Sequence, residues 1–326
     1  MSARTLPGSR APALAAGLAG AVVIAFSAIY VRLAEVSPAT AATFRCAYAV
    51  PLLTVLALWE RRRFGPRART SRRLALAAGV FFAADLVFWH TAIGFVGAGL
   101  ATVLANLQVV LVGLVAWAVL GERPHARVLA AVPVVLVGVV AISGVVGAGA
   151  YGDDPLLGVA FGVLTAIAYA GFFLTLRAGN ADPRRPAGPL LDATVTAAFV
   201  SAGAGALLGD VDLVPTWPAH GWLLALALNS QVLGWLLISV SLPRLPAAVT
   251  SVMLMLQPTT AVLLGMVLLD ERPSAVQLAG VAVVVVGVAL AASARSAPAA
   301  DAPPPQATAG PPPGRAGGRQ SGPHSW

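Results

Sequence analysis

The chain has 326 residues, of which 58% are hydrophobic and 10% are charged, and its mean hydropathy is +0.83. Soluble domains carry roughly a quarter charged residues, so these values exclude a soluble fold and predict that the lipid bilayer surrounds most of the chain. The basic residues are all arginines, most of them between the apolar segments and without interleaved aromatic residues, which argues against nucleic acid as a partner. Cys46 is the only cysteine, so an intramolecular disulfide and a cysteine metal cluster are excluded.

Apolar segments of about 20 residues, the length that crosses the hydrocarbon of a bilayer, recur along the chain and predict ten transmembrane helices. The first is too long for the apolar part of a signal peptide and is followed by further segments, so it is interpreted as a membrane helix. The ten cover residues 12–33, 38–59, 74–95, 98–120, 127–147, 156–177, 189–209, 219–241, 246–269 and 275–294.

Both ends of the chain are polar. Residues 1–11 precede the first helix as an N-terminal tail, and residues 296–326 follow the last one. The second tail is rich in proline and glycine and has too little apolar material to order itself, which predicts disorder.

The arginines also predict the orientation of the helices. Seven of them, from Arg61 to Arg73, follow the second helix and place that loop in the cytoplasm. Ten helices then leave both termini in the cytoplasm, while Asp153 and Asp210 fall in loops on the outer side. We therefore expect a multi-pass protein of the cell membrane with both termini in the cytoplasm.

The two halves of the chain repeat at a shift of 149 residues. The register continues without a gap across two predicted helices and a loop, so it is not a chance match. It aligns Gln108 with Gln257, LGERP at 120–124 with LDERP at 269–273, and VGV at 137–139 with VGV at 286–288.

This register predicts two five-helix repeats, residues 12–147 and 156–294. Because five is an odd number, the second repeat must lie in the membrane upside down relative to the first. Inverted repeats with a site at the midplane between them are the architecture of many secondary transporters, which work by rocking one half against the other.

Two such units, each with a glutamine-bearing helix, a Glu-Arg-Pro turn and a Gly-Val pair in the last helix, resemble the EamA branch of the drug/metabolite transporter superfamily. The resemblance covers residues 12 to 294 and implies ten helices, cytoplasmic termini, and export or exchange of small metabolites such as amino acids or drugs. It also implies an arginine in helix two after a short outer loop, which Phe44-Arg45 matches. The second repeat departs from this pattern, since helix seven has no internal arginine and carries Asp192 near its start.

Polar side chains inside the apolar segments are the candidate substrate-binding or coupling residues, because such groups are costly at bilayer depth. Helical rise puts Arg45 and Asp85 at a similar depth on helices two and three, which predicts a buried pair. The set consists of Arg45, Asp85, His90, Asn106, Gln108, Asn229, Gln231 and Gln257.

Each candidate has a structural and a functional interpretation. Arg45 and Asp85 either lock two helices together or line a cavity, where the arginine would hold a substrate carboxylate and the aspartate a proton or an amine. His90 is either a proton relay or part of an interfacial Trp-His belt. The amides either bond between helices or, as for the repeat-related Gln108 and Gln257, line the cavity.

The sequence contains no nucleotide-binding loop, no His-Glu-x-x-His motif and no Gly-x-Ser-x-Gly elbow, so it predicts neither an enzyme nor a cofactor or metal. We expect a secondary transporter that exports or exchanges a small metabolite by alternating access. Its partners would be that substrate and the lipid bilayer. A membrane-embedded binding or scaffold protein that moves nothing is the alternative, and an intramembrane enzyme is a third; a polar centre between the repeats favours transport.

Overall fold

A computed structural model describes residues 10–179, 182, 184–241, 245 and 247–293. Every regular element in these ranges is helical, and a π-helical segment, Leu226–Gly234, follows α9. The tail predicted at 296–326 lies outside the described residues, as does most of the one at 1–11. The helices are α1 Arg10–Ala25, α2 Ser27–Ala34, α3 Pro38–Phe64, α4 Arg69–Ala105, α5 Gln108–Leu120, α6 Ala126–Ile142, α7 Pro155–Gly179, α8 Ala187–Leu208, α9 Ala219–Ala225, α10 Trp235–Ser241, α11 Ala247–Leu268 and α12 Ala275–Ser293.

Interruptions divide several of the predicted helices. The first is broken at Phe26, between α1 and α2, and the eighth passes through the π-helical segment. Within α4, Gly97 has the non-helical angles φ 86° and ψ 167°, so α4 consists of two helices joined at a kink. Glycine adopts a positive φ without a steric cost because it has no Cβ. The predicted fourth helix comprises the second part of α4, a turn at Asn106 and Leu107, and α5.

Seven helices of the described chain are long and apolar enough to cross a membrane, and three shorter apolar helices accompany them. The shorter ones fall within the fourth, fifth and ninth predicted helices. The fifth was predicted at 127–147 but α6 ends at Ile142. It stops there because Gly144 follows with a φ of 74°, which no helix continues through.

Contacts between connecting segments define two ends of the helix bundle. At one end, Ser71 donates a hydrogen bond to the carbonyl of Gly179 and joins the start of α4 to the end of α7. Arg185 donates to the carbonyl of Phe64 and joins the α7–α8 connection to the end of α3. We call this the arginine-rich end, because the arginines between α3 and α4 belong to it.

The opposite end contains the connections on the other side of α3 and α8. Ser37 donates to the carbonyl of Asp210 at 2.5 Å, and the N–H of Asp212 donates to the hydroxyl of Thr40 at 2.8 Å. These bonds join the start of α3 to the α8–α9 connection. Connections before and after these helices therefore lie at different ends, as expected of helices that cross a membrane.

The two halves of the chain pack against each other. Helix α3 packs against α8, α4 against α7, α6 against α12, and α1 against α10 and α11. Small residues allow the close approaches, since a Cβ on Gly138 of α6 would lie only 2.8 Å from the carbonyl oxygen of Gly280 on α12. Each pair joins one predicted repeat to the other, and a cavity remains between them.

Candidate functional site

The cavity has a volume of ≈ 370 Å³ and is lined by residues of both repeats. Four of the candidate polar side chains in its wall come from α3, α4, α5 and the turn between α4 and α5: Arg45, Asp85, Gln108 and Asn106. Gln257 of α11 lies in the wall contributed by the second repeat. Ligand sites of small molecules have volumes of about 300–1,000 Å³, so this cavity has the size of a metabolite site.

Repeat-related residues occupy the wall in pairs. Under the 149-residue shift, Gln108 corresponds to Gln257, and both line the cavity. Three further pairs of the wall obey the same shift: Ile24 with Phe173, Leu86 with Trp235, and Trp89 with Ile238. The cavity therefore lies where the two repeats meet, as the repeat predicted.

Helix interruptions surround the cavity. Ser27 lies in the wall directly after the break at Phe26, and its hydroxyl donates to the carbonyl of Ile24 at 2.5 Å. Asn106 lies in the turn between α4 and α5, and its amide donates to the carbonyl of Thr102 at 2.8 Å. Both side chains thus donate to backbone carbonyls beside the interruptions, which is how side chains compensate a broken helix ladder. Discontinuous helices at a midplane site are a common feature of secondary transporters.

Arg45 is held from two sides. Its side chain is buried, with 7% exposed, and its Nε donates to Oε1 of Gln231 at 3.1 Å. The guanidinium carbon lies 5.7 Å from the ring centroid of Trp89, within the range of a cation–π interaction. The amide of Gln231 donates onward to the hydroxyl of Thr194 at 3.5 Å. Gln231 belongs to the π-helical segment, a feature that is frequent at functional sites.

The predicted Arg45–Asp85 ion pair is wrong in its geometry. Both residues line the cavity, but among the described residues no ion pair within 4.0 Å joins them. The arginine is instead oriented by Gln231 and Trp89, because the π-helical segment brings an amide beside it. Both side chains do line one cavity, but depth along two helices says nothing about the directions in which the side chains point.

The remaining candidates lie behind the wall. Gln231 positions Arg45, and the amide of Asn229 donates to the hydroxyl of Tyr30 at 3.1 Å. His90 is buried and its Nδ1 donates to the carbonyl of Pro38 at 3.2 Å. An interfacial Trp-His belt is also wrong, since Trp89 and His90 are only 7% and 3% exposed and do not face lipid.

Sequence reasoning missed the aromatic part of the wall. Phe82, Trp89, Tyr169, Phe173 and Trp235 all line the cavity. An aromatic residue in an apolar helix has the same sequence signal whether it faces lipid or a cavity. The repeat register could have found three of them, because Trp89, Phe173 and Trp235 have repeat-related partners that also line the cavity.

Helices of membrane-spanning length surround a polar internal cavity, and two sequence-related halves of the chain supply the cavity wall. These features define a multi-pass membrane protein of the transporter class. The model of the EamA-like transporter family matches residues 11–144 and again residues 156–293. The chain therefore belongs to the EamA-like transporter family.

A solved structure described as "Crystal structure of protein" is similar to this chain, with a TM-score of 0.56 and 18% sequence identity. The likeness covers 88% of this chain and 99% of the other. At this identity it shows the fold alone. A comparison with curated proteins gave no match.

Proposed function

We propose that this protein is a secondary transporter of the cell membrane that exports or exchanges a small metabolite by alternating access. Ten transmembrane helices would form two inverted five-helix repeats, residues 12–147 and 156–294. The contacts at the two bundle ends are consistent with this topology, and the arginines would hold the arginine-rich end and both termini in the cytoplasm.

The substrate would carry a carboxylate and an amine on an apolar body. Among the described residues, the terminal nitrogens of Arg45 and the carboxylate of Asp85 have no protein hydrogen bond, although both side chains are about nine-tenths buried. Two opposite charges that line one cavity without pairing are suited to a ligand with both charges. This observation carries the proposal.

The roles of the wall residues follow from their chemistry. Arg45 would bind the carboxylate. Its Nε is bonded to Gln231 and its guanidinium lies against Trp89, so the terminal nitrogens are the groups left to bind a substrate. Asp85 would bind the amine or exchange a proton. Gln108 and Gln257 would contact polar groups from the two repeats, and the aromatic wall would bury the apolar body. A scaffold protein needs no such polar cavity, so transport is favoured over the scaffold alternative.

Uptake by purified protein in liposomes tests this proposal. Radiolabelled amino acids should exchange across the membrane, whereas matched acids without the amine and amines without the carboxylate should exchange more slowly. Arg45→Gln and Asp85→Asn should each lower exchange about ten- to hundredfold, the equivalent of a lost hydrogen bond to a charged group. Asp85→Asn should also remove any pH dependence between about pH 5.5 and 8, because the amide cannot titrate.

Thr54→Ala is a suitable control. Thr54 is on the same helix as Arg45, but its hydroxyl donates to the Val50 carbonyl of its own helix at 2.7 Å. This variant should transport at the parent rate. Exchange that is unchanged in both charge variants would contradict the assigned site, and an absence of exchange for every metabolite class would favour the scaffold protein.

A further inference from the structure

A glutamate of the second repeat caps a helix of the first. Glu271 follows α11, is only 3% exposed, and accepts hydrogen bonds from the N–H groups of Ala98 at 2.5 Å and Gly99 at 3.1 Å. These are the first N–H groups after the kink at Gly97. Such groups have no partner within their own helix and carry a partial positive charge, so a carboxylate is well suited to them. The contact ties the two repeats together at the opposite end.

Three glycines make room for this carboxylate. A Cβ on Gly97 would lie 2.6 Å from Oε1 of Glu271, and one on Gly99 would lie 3.3 Å from Oε2. A Cβ on Gly265 of α11 would also collide with Oε2. The carboxylate therefore occupies a fitted position, and Gly265, whose added Cβ would meet the carboxylate first, gives a way to displace it without changing the glutamate.

The repeat contains a second copy of the glutamate and of the capped helix start, but not of the three glycines, which correspond to Pro246, Ala248 and Ala116. Under the 149-residue shift, Glu271 corresponds to Glu122 and Ala98 corresponds to Ala247, the first residue of α11. The side chain of Glu122, however, is 50% exposed and lies 3.5 Å from Arg177 of α7, at the arginine-rich end. A half-exposed side chain does not occupy the buried position that Glu271 has at the opposite end.

An arginine is placed near each glutamate. Arg177 lies in the last turn of α7, and Arg32 lies in the last turn of α2, near enough to influence the charge of Glu271. Arg32 and Arg177 are one helical turn apart in the repeat register. Each glutamate thus has one observed partner, a helix N-terminus for Glu271 and an arginine for Glu122, and the repeat register puts a group of the other kind near the corresponding position.

We propose that Glu271 and Glu122 are the two latches of the transport cycle, which deepens the proposed function and rests on it. An end is closed when its glutamate caps the helix N-terminus of the other repeat, and open when that glutamate moves to its arginine. The structure described here has the opposite end latched and the arginine-rich end unlatched. Substrate then enters or leaves the cavity from the arginine-rich end.

Sidedness of cysteine labelling tests the latches without any knowledge of the substrate. Val109→Cys in a Cys46→Ala background puts one thiol in the cavity wall. In liposomes of defined orientation, a membrane-impermeant charged maleimide should label it faster from the arginine-rich end. Glu271→Ala should raise the labelling rate from the opposite end about tenfold. Arg177→Gln should release Glu122 and lower the rate from the arginine-rich end.

Glu60→Ala is the matched control. Glu60 is buried and accepts 2.8 Å hydrogen bonds from the N–H groups of Ala187 and Gly188, the same chemistry at the start of α8. Its variant should lose stability but keep the parent sidedness. If Glu271→Ala does not fold, Gly265→Ala should still displace the carboxylate and open the opposite end.

Two results would overturn the latch proposal. One is parent sidedness in a folded Glu271→Ala or Gly265→Ala protein. The other is the same change of sidedness in Glu60→Ala, which would show a general loosening of the bundle. Either result leaves the transport assay of Arg45 and Asp85 unaffected, so a wrong latch and a wrong transport function give different outcomes.

Discussion

Two stretches with nearly the same sequence, LGERP at 120–124 and LDERP at 269–273, have different surroundings in this protein. Glu271 is buried at the start of a helix in the other repeat, whereas Glu122 is half exposed beside Arg177. The two local sequences differ only at Gly121 and Asp270, so the difference in burial comes mainly from how the two repeats approach each other at each end. In the proposed transport cycle this asymmetry corresponds to one closed and one open end, and the mirror arrangement, in which the two glutamates exchange their roles, would exchange the ends.

The α3–α8 pair shows the contrasting case. It is joined at the arginine-rich end by Glu60 and at the opposite end by Ser37 and Thr40. A helix pair tied at both ends is suited to act as a fixed part. The pair formed by α11 and the second part of α4 has its glutamate contact at the opposite end, and this is the contact that would alternate in the latch proposal.

The largest expected effect concerns the sides of the membrane on which the loops of Glu122 and Glu271 lie. In a Cys46→Ala background, His125→Cys should be protected from an impermeant thiol reagent in whole cells, and Ser274→Cys should be labelled. Five predicted helices separate the two positions, which puts them on opposite sides. Permeabilised cells provide the control, in which both should react. Labelling of the first and protection of the second would reverse the orientation, and equal behaviour would remove the inverted repeat.

A smaller effect is expected on stability when Glu271 is removed. Glu271→Ala strands the N–H groups of Ala98 and Gly99 in a buried position, which costs about 1–3 kcal/mol. Thermal unfolding in detergent should show this loss, and Glu60→Ala should match it because its contact has the same form. Wild-type stability in Glu271→Ala would mean that water replaces the carboxylate at no cost.

A change of pH should have a smaller effect on the contact between Glu271 and the start of the second part of α4. Burial raises the pKa of Glu271, against the opposing effects of the Ala98 and Gly99 N–H groups and the charge of Arg32. A proton therefore binds more tightly to the latched form than to an exposed carboxylate, and the latched form is favoured at low pH. This advantage is lost as pH rises through the raised pKa. Cavity labelling from the opposite end should accordingly increase with pH, and Glu271→Gln should abolish the dependence.

The smallest effect is expected for Glu122. Its ion pair with Arg177 is between side chains that are 50% and 58% exposed, and such pairs contribute about 0–1 kcal/mol. Glu122→Ala should therefore leave the unfolding temperature nearly unchanged in the structure described here. A loss as large as that of Glu271→Ala would show that the protein populates the mirror arrangement, with the arginine-rich end latched.

The sequence by itself determined the membrane environment, the family resemblance and the repeat, because composition, segment length and self-similarity are properties of the chain alone. Family membership is confirmed, and the repeat register identifies partners in the cavity wall as far apart as Ile24 and Phe173. The kink at Gly97 was anticipated as a short separator between two helices. These are one-dimensional signals, and they need no knowledge of side-chain direction.

Only the tertiary structure decided which polar groups meet. The π-helical segment that brings Gln231 to Arg45 has no sequence signature of its own, and it replaces the predicted ion pair with Asp85. Likewise, nothing in LDERP distinguishes a buried capping carboxylate from the exposed one in LGERP. Both outcomes depend on how helices that are distant along the chain rotate and approach each other. A small displacement between such helices gives a charged group a different partner, although the sequence pattern is unchanged.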